Sequence, residues 1–340
     1  MADVARRAGV STSTVSRALR GMPGVSEPQR RRIQEIADEL SYVISPEASR
    51  LSRGATGRVA VLVPTIGRWY FSTMLAGIEG TLRDADLDVL IYHVGGALDR
   101  QRFFHELPVR RKADAAIVIS LPVPDEEAAR LDLLGVQVVV AGGQIRDYPH
   151  VRIDDNQAAE QAVGHLAGLG HRRIGMIRTH DGEGRLWPAD LARTQGYVNA
   201  LARAGIASDP DMLVTVPFGM HGGMEAVRQL HGLARPPTAL FCHSDEVAFG
   251  ALRALRLAGV EVPMQCSVVG VDDHPMAELF DLTTVRQPVE RQGRIAGEMI
   301  LELLANGGLA QPIRVVPTEL VVRDSSAPLS AGAAATAARA

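Results

Sequence analysis

A short polar stretch near the amino terminus carries side chains of the types that hydrogen-bond to nucleic-acid bases. The segment STSTVSRAL presents hydroxyl groups and one guanidinium at helical spacing, at Thr12, Ser13, Ser16 and Arg17. On a helix these four side chains project from its early, exposed turns. Arginine pairs with the two acceptors of a guanine, and hydroxyls bond to several base edges. The spacing therefore predicts a surface that reads double-stranded DNA.

The residues around this stretch predict a helix, a tight turn and a second helix. Gly9 stands where the first helix must end, because a left-handed residue there costs a side chain about 1 kcal/mol or more and costs glycine little. Ser11 is the predicted N-cap of the second helix, and Val15, Ala18 and Leu19 form its buried face. This is the arrangement of a helix-turn-helix, whose second helix enters the major groove. The alternative is a small helical cap with a solvated basic face.

The charge distribution supports a separate module at this end of the chain. Residues 1–58 hold ten arginines against six acidic residues, a balance of +4, whereas the 340-residue chain carries a net charge of -3. A third helix is predicted after Ser26, where the segment SEPQ resembles a capping box. Three consecutive arginines follow at 30–32, where we expect a phosphate backbone. A basic segment on an acidic body indicates a polyanion-binding domain.

The pattern changes at Val59, where strand-like apolar runs begin to alternate with longer helical stretches. The runs are VAVLVP, VLIYHV, AAIVIS, VQVVVA, RIGMIR, TALFC and SVVGVDD. This alternation predicts βαβ units with parallel sheets. We therefore expect an all-α helix-turn-helix head and an α/β body of two doubly wound parallel-sheet subdomains. The Ala- and Ser-rich residues 327–340 cannot build a core and are predicted to form a disordered tail.

Several classes of protein lack support in the sequence. There is no secretory signal and no apolar run long enough to span a bilayer, so we expect a cytoplasmic protein without membrane contact. Cys242 and Cys266 lie in apolar runs and are expected to be reduced core residues, with no metal site.

An enzyme is also not expected. The adjacent carboxylates of Asp154-Asp155 and Asp272-Asp273 point apart on a strand and cannot share one substrate. The common nucleotide-binding and hydrolase motifs are absent from the sequence, so we predict no catalytic residue and no cofactor. His171 is interpreted as a structural turn residue rather than a base.

Taken together, these segments resemble the lactose/galactose repressor family of bacterial transcription regulators over nearly the whole chain. The segment DVARRAGVSTSTVSRAL is similar to that family's signature. By position, the resemblance implies that Thr12, Ser13 and Arg17 read base edges. It also implies phosphate contacts for four residues: Ser11, Thr14, Ser16 and Tyr42.

The resemblance further implies a hinge helix after the head. Ala48, Arg50 and Leu51 fall at its positions, with Arg50 among the DNA contacts and Leu51 wedged into the minor groove. Such a wedge unstacks one base step and bends the duplex. The alternative is that Leu51 is simply a linker residue.

The body resembles the periplasmic-sugar-binding fold, in which two halves close on a ligand. The resemblance places seven side chains at an effector pocket: Trp69, Tyr70, Phe71, Arg193, Phe218, Ser244 and Asp272. Trp187, in a Gly-rich loop, is added because it could reach the same cleft. Aromatic rings cover the apolar faces of a pyranose, and Arg193 and Asp272 supply charge-assisted hydrogen bonds to vicinal hydroxyls.

Alternatives remain for individual pocket residues. The aromatic rings could pack in the core, and Asp272 could cap the next helix. Asp245 is predicted to be the N-cap of a helix from Glu246. This chain departs from the family at two places. It has Gly142-Gly143 where many members have Asp, and Ser244 where many have Asn. Both changes remove hydrogen-bonding groups, so the preferred sugar cannot be taken from a relative.

The sequence thus predicts a regulator with three functional parts. These are a head at 1–45, a hinge at 46–57 and an effector-binding, dimerising body at 58–326, with subdomains 58–156 plus 287–316 and 157–286 plus 317–326. We expect a homodimer on a near-palindromic operator, repressing carbohydrate-utilisation genes under control of a sugar-like effector. The alternatives are a purine or phosphorylated-metabolite effector, or a stand-alone sugar-binding protein.

Overall fold

The computed structural model describes residues 1–42, 55–182 and 184–329. The chain divides into two compact units, Met1–Gly57 and Arg58–Ala340, here called the head and the body. The predicted hinge residues Ala48, Arg50 and Leu51 lie outside the described residues.

The head contains three helices around a small apolar core: α1 (Ala2–Ala8), α2 (Thr12–Leu19) and α3 (Glu27–Glu39). Val4, Val15 and Ile33 are fully buried where the three helices meet. Gly9 adopts a left-handed conformation with φ 67° at the end of α1, as its position predicted. Ser11 caps α2 by accepting a hydrogen bond from the Thr14 N–H at 3.1 Å. The predicted helix-turn-helix is confirmed.

The start of α3 differs from the prediction in two ways. Ser26 precedes the helix, but its side chain accepts no capping hydrogen bond. The Arg30 guanidinium donates to the carbonyls of Ala18 and Met22, both at 3.1 Å. Arg30 therefore joins α3 to the end of α2 and is not a free phosphate contact.

The body contains two six-stranded sheets. The strands are β1 (Arg58–Val63), β2 (Asp88–His93), β3 (Ala115–Ile119), β4 (Gln137–Ala141), β5 (His150–Ile153), β6 (Ile174–His180), β7 (Leu213–Pro217), β8 (Ala239–Cys242), β9 (Ser267–Asp272), β10 (Thr283–Arg286), β11 (Ile313–Val316) and β12 (Glu319–Val321). The first sheet has the order β11-β5-β4-β3-β1-β2 and the second β12-β10-β9-β8-β6-β7. All pairs are parallel except β10 with β12. The predicted fold class is confirmed.

Helices cover both faces of each sheet. They are α4 (Trp69–Arg83), α5 (Ala97–Glu106), α6 (Asp125–Asp132), α7 (Asp155–Gly168), α8 (Pro188–Arg203), α9 (Met220–His231), α10 (Asp245–Leu257) and α11 (Val289–Asn306). The chain crosses between the sheets after β5, after β10 and after β11. We call the part built on the first sheet, with α11, the first half of the body, and the remainder the second half.

Three polar or sulfur-containing residues of the second half have structural roles. Cys242 and Cys266 are free and buried, as predicted, and burial raises the pKa of both thiols. His171 lies 3.0 Å from both the Thr238 and the Ser267 hydroxyls and joins the starts of neighbouring strands.

The ordered body continues beyond residue 326. The His171 ring lies 3.1 Å from the Ala327 carbonyl oxygen, and the Leu329 N–H donates to the Leu169 carbonyl at 2.9 Å. These bonds hold residues 327–329 on the body, so the tail predicted from 327 begins too early. The rest of that tail lies outside the described residues.

Candidate functional site

A cavity of about 430 Å³ lies between the two halves of the body. Its walls come from residues that follow the carboxyl ends of β3, β4, β5, β8 and β9. The carboxyl edge of a parallel sheet is where open α/β folds bind their ligands, since the connecting loops diverge there. The volume falls within the range of small-molecule sites.

Four of the five predicted aromatic residues line this cavity: Tyr70, Phe71, Trp187 and Phe218. The Tyr70 hydroxyl lies 2.9 Å from the Ser120 hydroxyl. Trp69 does not line the cavity, and its ring instead packs 4.9 Å from the His274 ring of the second half. Trp69 and Tyr70 are the first two residues of α4, where side chains diverge by about 100°. The Trp69 ring therefore faces His274, whereas the Tyr70 ring faces the cavity.

Arg193 lines the cavity from α8 but already has strong partners. Its Nε donates to Asp155 Oδ1 at 2.8 Å, and its Nη1 donates to the His243 carbonyl. Burial alone would lower the pKa of Arg193, but the carboxylates of Asp155 and Asp272 raise it. The guanidinium is therefore held charged and in a fixed orientation at the cavity wall.

Asp272 lies at the end of β9 and also lines the cavity. Its Oδ1 accepts a hydrogen bond from Gln287 Nε2 at 2.6 Å, and Gln287 in turn accepts one from Gln292 Nε2 at 3.1 Å. Burial raises the pKa of Asp272 to about 6, although Arg193 opposes the shift. A turn rather than a helix follows Asp272, so the alternative role as a helix cap is wrong.

The residues before α10 have different roles from those predicted. Ser244, and not Asp245, is the N-cap, since its hydroxyl accepts from the Val247 N–H at 3.4 Å. Asp245 is the first helical residue and is fully buried. Its carboxylate accepts hydrogen bonds from the Thr284 hydroxyl and the His274 N–H, at 2.7 and 2.8 Å. Ser244 lines the cavity, as predicted.

The structure explains why position 142 is occupied by glycine. Gly142 has φ 73°, and a Cβ atom there would overlap the hydroxyl groups of Tyr70 and Ser120. The hydrogen-bonded pair of hydroxyls thus fills the space that a side chain would need.

Three buried polar atoms in the cavity wall have no hydrogen-bond partner among the described residues. They are Arg152 Nε, Trp187 Nε1 and Gln292 Oε1. A fourth, His243 Nδ1, lies 2.7 Å from Asp190 Oδ1 without hydrogen-bond alignment. Burying an unpaired polar group costs about 1–3 kcal/mol. No described residue compensates this cost in the wall around the cavity.

Sequence reasoning did not identify Arg152, Gln287 or Gln292. Arg152 stands in the short strand HVRI, whose other three residues are buried. Gln292 occupies a buried position among the apolar residues of α11. A polar side chain at a core-facing position was the available signal, because such a group needs a partner.

Two contacts join the two halves beside the cavity. The Arg68 guanidinium, just before α4, lies 4.0 Å above the ring of Phe218 in the second half. Both residues line the cavity. Together with the ring contact of Trp69 on His274, this cation–π contact holds the two walls near each other.

In the head, the predicted base-reading residues share one surface. Thr12, Ser13 and Arg17 are exposed on α2. Of the predicted phosphate contacts, Ser11 is exposed, Thr14 and Ser16 are half-buried, and Tyr42 packs against the apolar core of the head.

Metal-binding clusters and membrane-spanning helices are both absent from the described part of the chain. No group of three or more His, Cys, Asp and Glu side chains there could hold a metal ion. No helix in residues 1–42, 55–182 and 184–329 is long and apolar enough to cross a membrane.

Comparison with known proteins gives matches for both units. The family model for bacterial regulatory proteins of the lacI family matches residues 1–45, and a periplasmic binding protein-like domain matches residues 163–326. The HTH-type transcriptional repressor CytR of Escherichia coli (strain K12) is 33% identical over 330 residues, covering 96% of each chain.

Two solved structures are similar over almost the whole chain. The cellobiose complex of the transcriptional regulator CelR is 28% identical with a TM-score of 0.73, covering 95% of this chain and 98% of that one. The lac repressor dimer bound to operator and the anti-inducer ONPF has a TM-score of 0.84 at 23% identity, covering 96% and 98%, which shows the shared fold.

Proposed function

Because the chain belongs to the lacI family of bacterial regulatory proteins, we propose that it represses transcription from an operator bound by the head and is controlled by a small polyhydroxylated effector bound in the body. The operator is near-palindromic and the protein acts as a homodimer in the cytoplasm. Effector binding changes operator affinity by a coupling free energy of about 1–3 kcal/mol.

The observation that carries the effector proposal is the cavity of about 430 Å³ between the two halves of the body, whose wall combines charged side chains with aromatic rings. The Arg193 guanidinium is a hydrogen-bond donor at this wall, and the Asp272 carboxylate is an acceptor. A ligand with several hydroxyl groups satisfies both kinds, because each hydroxyl both donates and accepts. The rings of Tyr70 and Phe218 supply apolar area against which such a ligand packs.

The proposed dimer is supported by exposed apolar side chains on the second half. Leu279 is 78% exposed, and Phe280 and Met276 beside it are 45% and 43% exposed. Contiguous exposed apolar residues mark interaction surfaces. We propose that a second copy of the chain covers this surface.

A thermal-shift panel tests the effector proposal. The probes are monosaccharides, disaccharides, sugar phosphates and purines, because a ligand that binds only the folded chain raises the melting temperature by mass action. We expect a sugar or sugar derivative to raise it, and Arg193→Ala or Asp272→Ala to abolish the shift. Asp211→Ala, an exposed residue outside the cavity, is the matched control.

The same ligand then tests control of DNA binding. A DNA sequence selected from a random library by the wild-type chain serves as the operator. We expect the ligand to change the dissociation constant for this sequence about 5- to 150-fold. A response to purines alone would contradict the sugar effector, and a ligand without effect on DNA binding would contradict the regulatory coupling.

A further inference from the structure

The start of α4 reaches from the first half of the body to the second. The Arg68 guanidinium lies 4.0 Å above the ring of Phe218, and the Trp69 ring lies 4.9 Å from the ring of His274. Burial raises the pKa of Glu246, whereas the Arg68 charge and the Trp69 N–H oppose this shift, so the carboxyl group lies near both residues. We call these five residues the clasp.

The clasp lies away from the segments that connect the two halves. The chain crosses between the halves after β5, β10 and β11, which lie at or next to one edge of their sheets. Arg68 follows β1, and Phe218 follows β7, which is the opposite edge strand of the second sheet. With about 4.8 Å between neighbouring strands, β1 lies about 14 Å from β5, and β7 lies about 19 Å from β10. The contact of Arg68 with Phe218 is therefore on the side of the cleft where the two halves are free to separate.

Two residues of the clasp also line the cavity, Arg68 from the first half and Phe218 from the second. Their contact closes the cavity wall on the side away from the crossovers. When two halves joined by short crossover segments move apart, they rotate about those segments and the gap opens on the far side. A small molecule that passes through this gap must break the clasp.

The contacts of the clasp are of a kind that can break and form again. A cation–π contact favours the joined form by about 2- to 30-fold, depending on how far the cation is removed from water. The aromatic contact of Trp69 with His274 adds a similar weak preference. The clasp can therefore favour the closed cavity without locking it.

We propose that the clasp is a gate at the mouth of the effector cavity, whose contacts of Arg68 with Phe218 and of Trp69 with His274 hold the two halves together until the effector enters or leaves. Its role in effector exchange rests on the proposed effector site, whereas closure of the clasp can be measured without an effector. The gate also gives Trp69, which does not line the cavity, a part in effector binding.

Fluorescence of Trp69 measures whether the clasp is closed. The chain has two tryptophans, so Trp187→Phe leaves Trp69 as the sole reporter. Acrylamide is the probe, because it quenches an indole on collision and reaches Trp69 more often when the ring leaves His274. Phe218→Leu and Arg68→Met each remove the cation–π contact and leave the reporter side chain unchanged. We expect each variant to raise the quenching constant about 2-fold or more.

Further variants separate the clasp from a general loosening of the chain. Arg83→Met, at the exposed far end of α4, is the matched control and is expected to leave the quenching constant unchanged. The double variant Arg68→Met with Phe218→Leu is expected to give no more than the larger single effect, because both changes remove the same contact. Thermal melting shows that all variants are folded.

Stopped-flow mixing then tests the gate with the monosaccharides of the thermal-shift panel that bind. We expect Arg68→Met to raise both the association and the dissociation rate constants about 2- to 30-fold, because a gate slows passage in both directions. Loss of a ligand contact alone would raise only the dissociation rate constant, and that result would overturn the gate.

The quenching data decide the clasp separately from the effector. Unchanged quenching in both Arg68→Met and Phe218→Leu, or effects that add in the double variant, would overturn the clasp and leave the proposed effector site in place. A panel in which no sugar binds would contradict the sugar effector and, with it, the role of the clasp in sugar exchange.

Discussion

At the scale of single residues, two adjacent carboxylates show how position sets chemistry. Asp272 is buried at the cavity wall, and burial raises its pKa to about 6. For Asp273 burial acts in the same direction, but hydrogen bonds from Arg323 and Arg286, at 2.7 and 2.6 Å, hold its pKa below the usual value. Neighbours in sequence thus have opposite electrostatic roles in the folded chain.

The first prediction concerns the effect of Asp272 on stability. The pKa of Asp272 rises from 3.8 to about 6 on folding. The contribution of this carboxyl group to the free energy of unfolding is therefore fully present below pH 3.8 and is lost as the pH rises through about 6. Asp272→Asn is expected to raise the free energy of unfolding at neutral pH by about 1–3 kcal/mol and to flatten this pH dependence. Urea unfolding at a series of pH values measures both effects.

Asp273→Asn provides the comparison with the opposite sign. Its lowered pKa means that Asp273 stabilises the fold above pH 3.8 and loses that contribution as the pH falls. We expect Asp273→Asn to reduce the free energy of unfolding at neutral pH. If Asp272→Asn and Asp273→Asn changed the free energy of unfolding in the same direction, the opposite contributions assigned to the two carboxylates would be wrong.

A second prediction concerns Arg17 on α2. Arg17→Ala is expected to weaken binding to the selected operator by about 1–3 kcal/mol and to change binding to random DNA much less, since a base contact carries sequence information. Arg31→Ala, exposed on α3, is expected to weaken binding to both DNAs alike, as a phosphate contact does. Fluorescence anisotropy at fixed salt gives both affinities. Equal losses with Arg17→Ala would contradict base reading.

At the scale of elements, helices of the first half approach each other closely at glycines. A Cβ atom on Gly293 of α11 would overlap the Met74 carbonyl of α4, and one on Gly77 of α4 would overlap the Glu290 carbonyl. The two helices thus contact backbone to backbone. This packing keeps α11, which carries Gln292, against the sheet of the first half.

A third prediction follows for this crossing. Gly293→Ala is expected to lower the free energy of unfolding by about 1–3 kcal/mol, because the added methyl group forces the helices apart. Gly164→Ala, in α7, meets no atom within 4 Å and is expected to stabilise the chain by about 0.5–1 kcal/mol. Urea unfolding of both variants checks the difference in sign. A neutral Gly293→Ala would show that the crossing is not tight.

Helices and strands could be predicted from the sequence where a single local pattern was enough to identify them. Gly9 and Ser11 marked the turn of the helix-turn-helix, and seven apolar runs marked seven strands. The short strands β5, β7, β10, β11 and β12 were not among them. The equally short strands β3, β4 and β8 were marked because their runs are almost wholly apolar and buried. The missed strands contain polar or exposed positions, so their pairing in the sheet rather than their own sequence defines them.

At the scale of the whole molecule, the proposed dimer surface makes a fourth prediction. Leu279→Asp is expected to convert the protein to a monomer, because a buried carboxylate at an apolar interface is strongly unfavourable. Leu133, which is 51% exposed in the first half, gives the control Leu133→Asp. Sedimentation velocity distinguishes the two species. A dimeric Leu279→Asp chain would place the interface elsewhere.

The family and the helix-turn-helix could be inferred from the sequence, because caps, periodicity and motif positions are local features. Seven of the eight residues predicted for the effector pocket line the cavity. The exception, Trp69, depended on which way α4 faces the cavity. The roles of Arg152, Gln287 and Gln292 became visible in the folded chain, where residues from β5, the crossover after β10 and α11 meet at one cavity. These residues are distant in sequence and are brought together by long-range packing. A local sequence pattern therefore cannot predict that they share one cavity.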